Sequence, residues 1–183
     1  MLPGILADAG RRYADRPALE SLTGPPIGYA DLDRVSDEVA VGLAHRGLAE
    51  GSVLLLSLPS GIPYLVAFLA AAKLGAITAG ANPRLGASER TVLARTVAPD
   101  LVLATDDLVD GIPDYLEVDL VSASDSASDL LADYREPGQR PDRLPTDPDR
   151  AVCICFTSGS TGDPKGALFA NRQLEAIAEM DRG

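Results

Sequence analysis

Apolar and polar positions along the chain change repeatedly between helical and extended patterns. In residues 31–46 the apolar positions recur every three or four residues with charged residues opposite, and Gly47 follows as a C-terminal cap. We therefore predict an amphipathic helix there. Residues 53–58 are apolar except for Ser57 over the length of one strand, which is typical of a strand buried on both faces of a parallel sheet.

The same alternation continues to the end of the chain. It predicts strands at 76–80, 101–105, 118–121 and 151–156, a hairpin partner at 167–170, and helices at 63–74, 88–97 capped by Ser88, 128–134, and from Asn171 to about Met180, capped by Asn171. Residues 136–148 are proline-rich and polar, which predicts an exposed connector. Strands that alternate with helices require crossover connections, so the predicted fold class is α/β, with a mostly parallel sheet covered by helices on both faces.

Length and charge limit the classes of function. A chain of 183 residues is long enough for one buried core. The net charge is −11, and residues 100–136 hold eleven acidic residues against the single basic Arg135. This distribution argues against a nucleic-acid surface, which needs clustered Lys and Arg, and the acidic stretch is interpreted as a solvated face.

Three further features have ordinary explanations, and the last of them makes the cytoplasm the expected location. Cys153 and Cys155 alternate onto one face of a strand, cannot readily bridge each other, and are expected to be buried core thiols. The single histidine, His45, falls in the last turn of the first predicted helix, where partial positive charge suits the helix dipole. There is no basic and apolar leader at the N-terminus, and the apolar stretch 61–81 is interrupted by Pro63 and Lys73, so no membrane span is predicted.

The strongest candidate for chemistry is the stretch 156–166, which reads Phe-Thr-Ser-Gly-Ser-Thr-Gly-Asp-Pro-Lys-Gly directly after a predicted strand. Glycines let backbone N–H groups turn toward an anion, hydroxyl groups bind phosphate oxygens, and Lys165 adds a cation. The pattern predicts a loop for a nucleoside triphosphate. It is not a Walker A loop, because Pro164 precedes the lysine and Gly166 follows it. The sequence around the stretch is locally positive, since Arg150, Lys165 and Arg172 outnumber Asp163. The alternative to a phosphate loop is a Gly/Ser-rich hairpin at the protein surface.

The spelling T-S-G-S-T-G-x-P-K-G resembles the phosphate loop of the AMP-forming adenylate (ANL) superfamily, which includes acyl-CoA synthetases, peptide-synthetase adenylation domains and luciferases. The stretch Tyr29-Ala30-Asp31-Leu32 and the turn Asn82-Pro83-Arg84-Leu85 are similar to the same superfamily, in the same order along the chain, and the turn looks most like that of acyl-CoA synthetases. The resemblance implies that residues 1–183 form the N-terminal subdomain of an adenylation domain. One departure is Ala170-Asn171, where many relatives have Thr-His.

What the resemblance implies about activity is a two-step ligation. A carboxylic acid, expected to be a fatty acid, attacks the α-phosphorus of ATP to give an acyl-adenylate and pyrophosphate, and coenzyme A then takes the acyl group, with Mg²⁺ as the metal cofactor. No catalytic residue or metal ligand is assigned. The residues expected to hold the phosphates are Thr157, Ser158, Ser160 and Thr161 through hydroxyl groups, Gly159 and Gly162 through amides, Lys165 as the cation, and Gly166 at the end of the loop.

The resemblance also implies that a second large subdomain and a mobile C-terminal domain belong to the complete enzyme. We therefore expect these 183 residues alone to be inactive, to depend on a C-terminal portion or a complementary chain, and to expose an apolar interface that favours self-association. Two alternatives stay open: a non-catalytic nucleotide- or protein-binding module, such as half of a split ligase, and part of an amino-acid adenylation domain.

Overall fold

The computed structural model describes residues 1–21, 24–122, 129–157 and 165–180. Its helices are α1 (Leu2–Arg12), α2 (Tyr29–His45), α3 (Ile62–Leu74), α4 (Ala87–Val97) and α5 (Asn171–Met180). Its strands are β1 (Pro17–Leu19), β2 (Ile27–Gly28), β3 (Val53–Ser57), β4 (Ile77–Gly80), β5 (Leu101–Ala104), β6 (Val118–Leu120), β7 (Ala151–Thr157) and β8 (Lys165–Ala170).

Six of these strands form one mixed sheet in the order β6-β5-β3-β4-β7-β8. All neighbours in it are parallel except β7 and β8, which form an antiparallel hairpin at one edge. The remaining pair, β1 and β2, makes a small antiparallel ribbon. The prediction of an α/β fold with a mostly parallel sheet is confirmed.

Helices cover both faces of the sheet, as successive residues of the central strand β3 demonstrate. Leu54 and Leu56 pack into a core beneath α1, α2 and α3, whereas Leu55 points to the opposite face and packs with Leu93 of α4. All three leucines of β3 are fully buried. Because both faces of the strand are buried, four of the five residues of β3 are apolar, which is why its sequence shows no alternation.

The helix boundaries correct one expectation about capping and agree with another. Helix α4 begins at Ala87 rather than after Ser88, and Glu89 accepts a hydrogen bond of 2.9 Å from the backbone N–H of Gly86, the residue before the helix. Gly47 does follow α2 with a φ of +90°, a conformation that glycine adopts without strain, and its N–H donates to the carbonyl of Ala44.

The sequence pattern missed the first elements of the chain. Helix α1 contains Pro3 and Gly4, which usually interrupt helices, yet a proline in the first turn costs no hydrogen bond because its N–H would have no partner there. Leu6 buries this helix against the main core. Of the helix predicted at 128–134, the described part is only a short 3₁₀ turn, Ala132–Tyr134, and residues 123–128 lie outside the described residues.

Residues 136–148 contain neither helix nor strand. The connector is attached to α2 by the carboxylate of Glu38, whose side chain is 3% exposed. This carboxylate pairs with Arg135 at 2.7 Å and accepts a hydrogen bond of 3.1 Å from the N–H of Gly138. Within the described ranges, no helix combines the length and the apolar character that crossing a bilayer would require.

Candidate functional site

The hairpin of β7 and β8 fixes the two ends of the predicted phosphate loop. Thr157, the last residue of β7, pairs with Lys165, the first residue of β8, and Phe156 pairs with Gly166. The residues between them are 158–164, which include Ser158, Gly159, Ser160, Thr161 and Gly162 and lie outside the described residues. The structure thus brings the flanks of the predicted loop together as a strand pair.

The hairpin ends at the edge of the sheet where ligands of α/β proteins bind. Strand β7 runs parallel to β4, with Thr78 beside Cys153, so Thr157 lies at the edge formed by the carboxyl ends of the parallel strands. After β3 the chain continues into α3 on one face, and after β4 into α4 on the other face. Such a change of side opens a crevice at the carboxyl ends, the usual binding place in this architecture.

Lys165 is the cation of the predicted loop that lies at this edge. Its side chain is exposed, and none of the carboxylates in the described ranges pairs with its ammonium group. Arg150 and Arg172 were expected to add positive charge here, and that expectation is wrong. They lie near the opposite end of the hairpin, about 20 Å away for six residues of strand, where Arg150 pairs with Glu50 and Arg172 with Asp149, each at 2.7 Å.

Gly166 has a packing role that its motif did not reveal. A Cβ atom at this position would lie 2.7 Å from Cγ2 of Ile154 and 3.1 Å from Cε1 of Phe156. The missing side chain lets these two apolar residues of β7 lie across β8. Strand β7, which leads into the predicted loop, therefore packs against β8 at Gly166.

The turn Asn82-Pro83-Arg84-Leu85 follows β4 at the same edge. The side chain of Asn82 accepts a hydrogen bond of 2.9 Å from the N–H of Arg84, which makes a local turn. Buried Arg90 fixes the turn from α4, since its guanidinium donates to the carbonyl of Leu85 at 3.0 Å and to the carbonyl of Asp110. Sequence reasoning missed Arg90, because an arginine in an amphipathic helix gives no signal that it is buried.

An apolar cleft of about 400 Å³ lies beside the hairpin, on the face of the sheet that α3 covers. Its floor includes Thr78, whose hydroxyl is buried without a hydrogen-bond partner in the described part of the chain. Tyr64 of α3 borders the cleft, and its hydroxyl oxygen lies 2.3 Å from where a Cβ of Gly80 would be. Only glycine at position 80 leaves room for this tyrosine.

Both cysteines line this cleft, which corrects the expectation of two buried thiols. Cys153 is buried and Cys155 is exposed; neither forms a disulfide. Burial raises the pKa of Cys153 to about 12, and the charge of Cys155 and a hydrogen bond with it act in the same direction. Burial also raises the pKa of Tyr64, helped by the two thiols.

Other polar candidates have structural contacts. The Nδ1 atom of His45 lies 3.3 Å from a carboxylate oxygen of Glu136, which attaches the end of α2 to the connector. Asn171 was expected to cap α5, and this is wrong: its amide nitrogen donates to the carbonyl of Asp147 at 3.1 Å, and its buried Oδ1 has no partner among the described residues. In the same part of the chain, no group of three or more His, Cys, Asp or Glu side chains could hold a metal ion.

Comparison with known proteins places this geometry in context. The family model described as AMP-binding enzyme matches residues 6–181. The 4-coumarate–CoA ligase of Vanilla planifolia is 27% identical over 175 residues, which are 89% of this chain and 32% of that protein. The 4-coumarate–CoA ligase 1 of Oryza sativa subsp. japonica is 33% identical over 194 residues, which are 93% of this chain and 33% of that protein. The chain thus spans about a third of the length of these curated relatives.

Solved structures share the fold. VinN in complex with 3-methylaspartate superposes with a TM-score of 0.85 at 24% identity, covering 98% of this chain and 50% of that chain, and at this identity the likeness concerns the fold alone. The Klebsiella oxytoca NpsA N-terminal subdomain in complex with 3-hydroxybenzoyl-AMSN superposes with a TM-score of 0.76 at 26% identity, covering 93% of this chain and 41% of that chain.

Proposed function

Because the chain belongs to the AMP-binding enzyme family, we propose that it holds the phosphates of ATP in an enzyme that activates a carboxylic acid as an acyl-adenylate and passes the acyl group to coenzyme A. The observation that carries the proposal is the Thr157–Lys165 strand pair, which brackets a Gly-, Ser- and Thr-rich sequence at the carboxyl edge of a parallel sheet. In this proposal residues 1–183 form one N-terminal subdomain, with 136–148 as its exposed connector and 156–166 as its phosphate loop.

The proposed mechanism needs no nucleophile from the protein. A carboxylate oxygen of the substrate attacks the α-phosphorus of ATP in line with the bond to pyrophosphate, which leaves. The protein contributes by positioning the phosphates and by offsetting their charge. Lys165 supplies the cation, and the sequence of the loop assigns hydroxyl contacts to Thr157, Ser158, Ser160 and Thr161 and amide contacts to Gly159, Gly162 and Gly166.

Mg²⁺ belongs to the proposal as the ion that neutralises triphosphate charge when bound. The described part of the chain offers no cluster of three ligands for it, so we assign none of its carboxylates to the metal and derive no step through the ion.

The substrate class is the finer part of the proposal. The resemblance to acyl-CoA synthetases led to the expectation of a fatty acid, but the curated relatives are named for 4-coumarate, and one solved neighbour is in complex with a 3-hydroxybenzoyl compound. We therefore propose an aromatic carboxylic acid first and a fatty acid second.

The test is carboxylate-dependent ATP–pyrophosphate exchange by the full-length protein, with Mg²⁺ and a panel of 4-coumarate, 3-hydroxybenzoate, fatty acids of several lengths and aspartate. Exchange with an aromatic acid, followed by formation of its coenzyme A thioester, would support the proposal. Exchange with fatty acids alone would replace the aromatic substrate by the fatty one, exchange with aspartate alone would favour the amino-acid alternative, and no exchange with any acid would overturn the proposed function. The 183-residue chain, assayed in parallel, is expected to show no exchange.

The role of Lys165 is tested by Lys165→Ala, with Arg172→Ala as the matched control. Both residues are exposed cations, Lys165 at the start of β8 and Arg172 in the first turn of α5, but Arg172 lies at the far end of the hairpin and pairs with Asp149. We expect Lys165→Ala to lower the exchange rate by about a hundredfold, as for the loss of one preorganised charge contact. Equal rates in the two variants would contradict the assignment.

A further inference from the structure

The cleft beside β7 contains a chemical feature that the proposed function does not use. Cys153 and Cys155 are separated by one residue on a strand, so their side chains lie on the same face. Both line the cleft of about 400 Å³, where Cys153 is buried and Cys155 is exposed. They are the only cysteines in the chain.

The two thiols are neighbours, but a direct disulfide is a poor link between them. Two residues of strand separate the Cα atoms by about 6.6 Å, at the upper end of the range that a disulfide spans. A single bridging atom between the two sulfur atoms makes the link longer and removes this constraint. The two thiols interact, since the charge of Cys155 and a hydrogen bond with it both contribute to the raised pKa of Cys153.

The surroundings limit what the bridging atom could be. The described residues offer no third His, Cys, Asp or Glu ligand beside the pair, so an ion that needs four ligands, such as Zn²⁺, is not satisfied there. The remaining walls on the face of β7 that carries the two thiols are apolar and aromatic, with Tyr64, Leu65 and Phe68 among them. The site therefore suits a soft acceptor that takes two sulfur ligands and carries an apolar group.

We propose that Cys153 and Cys155 form a two-thiol binding site for monosubstituted trivalent arsenicals, with the organic group in the aromatic cleft. With phenylarsine oxide, both S–H bonds and the arsenic–oxygen bond break, two arsenic–sulfur bonds form, and the two protons leave with the oxygen as one water molecule. Arsenic stays trivalent, so the step needs neither oxidant nor reductant. Each thiol gives up its proton as its arsenic–sulfur bond forms, because the thiolate is the form of cysteine that acts as a ligand.

The experiment is mass spectrometry of the folded chain after addition of phenylarsine oxide, followed by competition with a monothiol and then with a dithiol. We expect one phenylarsenic group per chain, which survives monothiol and is removed by dithiol. Cys155→Ser is the decisive variant, because this side chain is exposed and its replacement does not alter the core. It should release the arsenical at about a hundredfold lower monothiol concentration, since a second linked contact raises affinity by this order.

Two controls separate the site from general thiol chemistry. The double variant Cys153→Ser/Cys155→Ser has no thiol and should gain no mass. The chain unfolded in urea keeps both thiols but loses the cleft, so methyl- and phenylarsenicals should bind it about equally, whereas the folded chain should favour the phenyl compound by about tenfold, or 1.4 kcal/mol. Equal resistance to monothiol in Cys155→Ser and the unaltered chain would overturn the two-thiol site. Equal affinity of the folded chain for the two arsenicals would overturn the role of the cleft.

Discussion

Phe156 lies in the space that a side chain at Gly166 would occupy. The two residues face each other across the β7–β8 hairpin, and a Cβ atom at position 166 would lie 3.1 Å from the ring of Phe156 and 2.7 Å from Ile154. Gly166 therefore couples two properties, since it ends the proposed phosphate loop and it also allows the strand before that loop to pack.

We predict that Gly166→Ala destabilises the fold by about 1–3 kcal/mol, because Ile154 and Phe156 must shift to admit the new methyl group. Urea unfolding of the chain measures this change. Gly4→Ala is the control, since a Cβ at that helical position meets nothing within 4 Å and alanine favours a helix. A neutral effect of Gly166→Ala would show that the hairpin accommodates a side chain freely.

Lys73 supports the packing of α3 on α2 from within the protein. Its side chain is 6% exposed, and its ammonium group lies 2.8 Å from Asp33 and 2.6 Å from Asp37. We predict that Lys73→Met costs about 3–5 kcal/mol, because two carboxylates lose the cation that compensates them. In the triple variant with Asp33→Asn and Asp37→Asn, thermal unfolding should recover part of this loss. No recovery would mean that the packing of the lysine stem, rather than its charge, carries the effect.

Glu38 makes the stability of the fold depend on pH in the acidic range. Burial acts to raise its pKa, but the hydrogen bonds from Gly138, Arg135 and Arg34 outweigh burial, and the pKa lies below its ordinary value of 4.5. A lowered pKa in the folded state contributes stability that is present above the pKa of the unfolded chain and is lost as the pH falls through the folded value.

We therefore predict that Glu38→Gln lowers the free energy of unfolding at pH 7 by about 2 kcal/mol. The difference between variant and parent should shrink as the pH falls below about 4.5, where the unfolded chain binds the proton first, and should be lost once the pH passes the lower pKa of the folded carboxylate. Urea unfolding at a series of pH values measures it. A difference that stays constant down to pH 2 would contradict the assignment of this carboxylate as the acid-sensitive contact.

At Gly42 in helix α2, replacement by alanine is expected to have the opposite of its usual effect on stability. Replacement of a helical glycine by alanine ordinarily stabilises by about 0.5–1 kcal/mol. Here a Cβ would lie 1.9 Å from the backbone oxygen of Tyr134, so the 3₁₀ turn could not pack on α2 as it does. We predict that Gly42→Ala lowers the midpoint of thermal unfolding, and a raised midpoint would show that this turn moves away at little cost.

Much of the fold follows from local pattern. Strand β3 and helix α3 were predicted to within a residue because Val53–Leu56 is wholly apolar and the 13 residues of α3 are apolar almost all round, which leaves few alternatives. Helix α1 and the β1–β2 ribbon were missed, because their helical or extended state depends on packing against α2 and α3 rather than on a strong local signal.

The candidate site also has a part that the sequence predicts and a part that it does not. Its motif was visible because phosphate recognition uses consecutive residues of one loop, and consecutive residues are what a sequence displays. The contacts that support it join distant segments: Arg90 reaches the carbonyl of Asp110, and Tyr64 covers Gly80. No spacing along the chain encodes such approaches.

The sequence by itself determined the α/β class, the order of the main strands and helices, and the position of the Gly/Ser/Thr-rich motif, because these depend on periodicity and on residue types at short range. The tertiary structure alone decided that Arg150 and Arg172 lie far from Lys165 and that Cys155 is exposed while Cys153 is buried. The physical reason is that charge clustering and burial depend on which strands become neighbours. That order is set by the packing of the whole sheet, so residues near in sequence can lie at opposite ends of one hairpin.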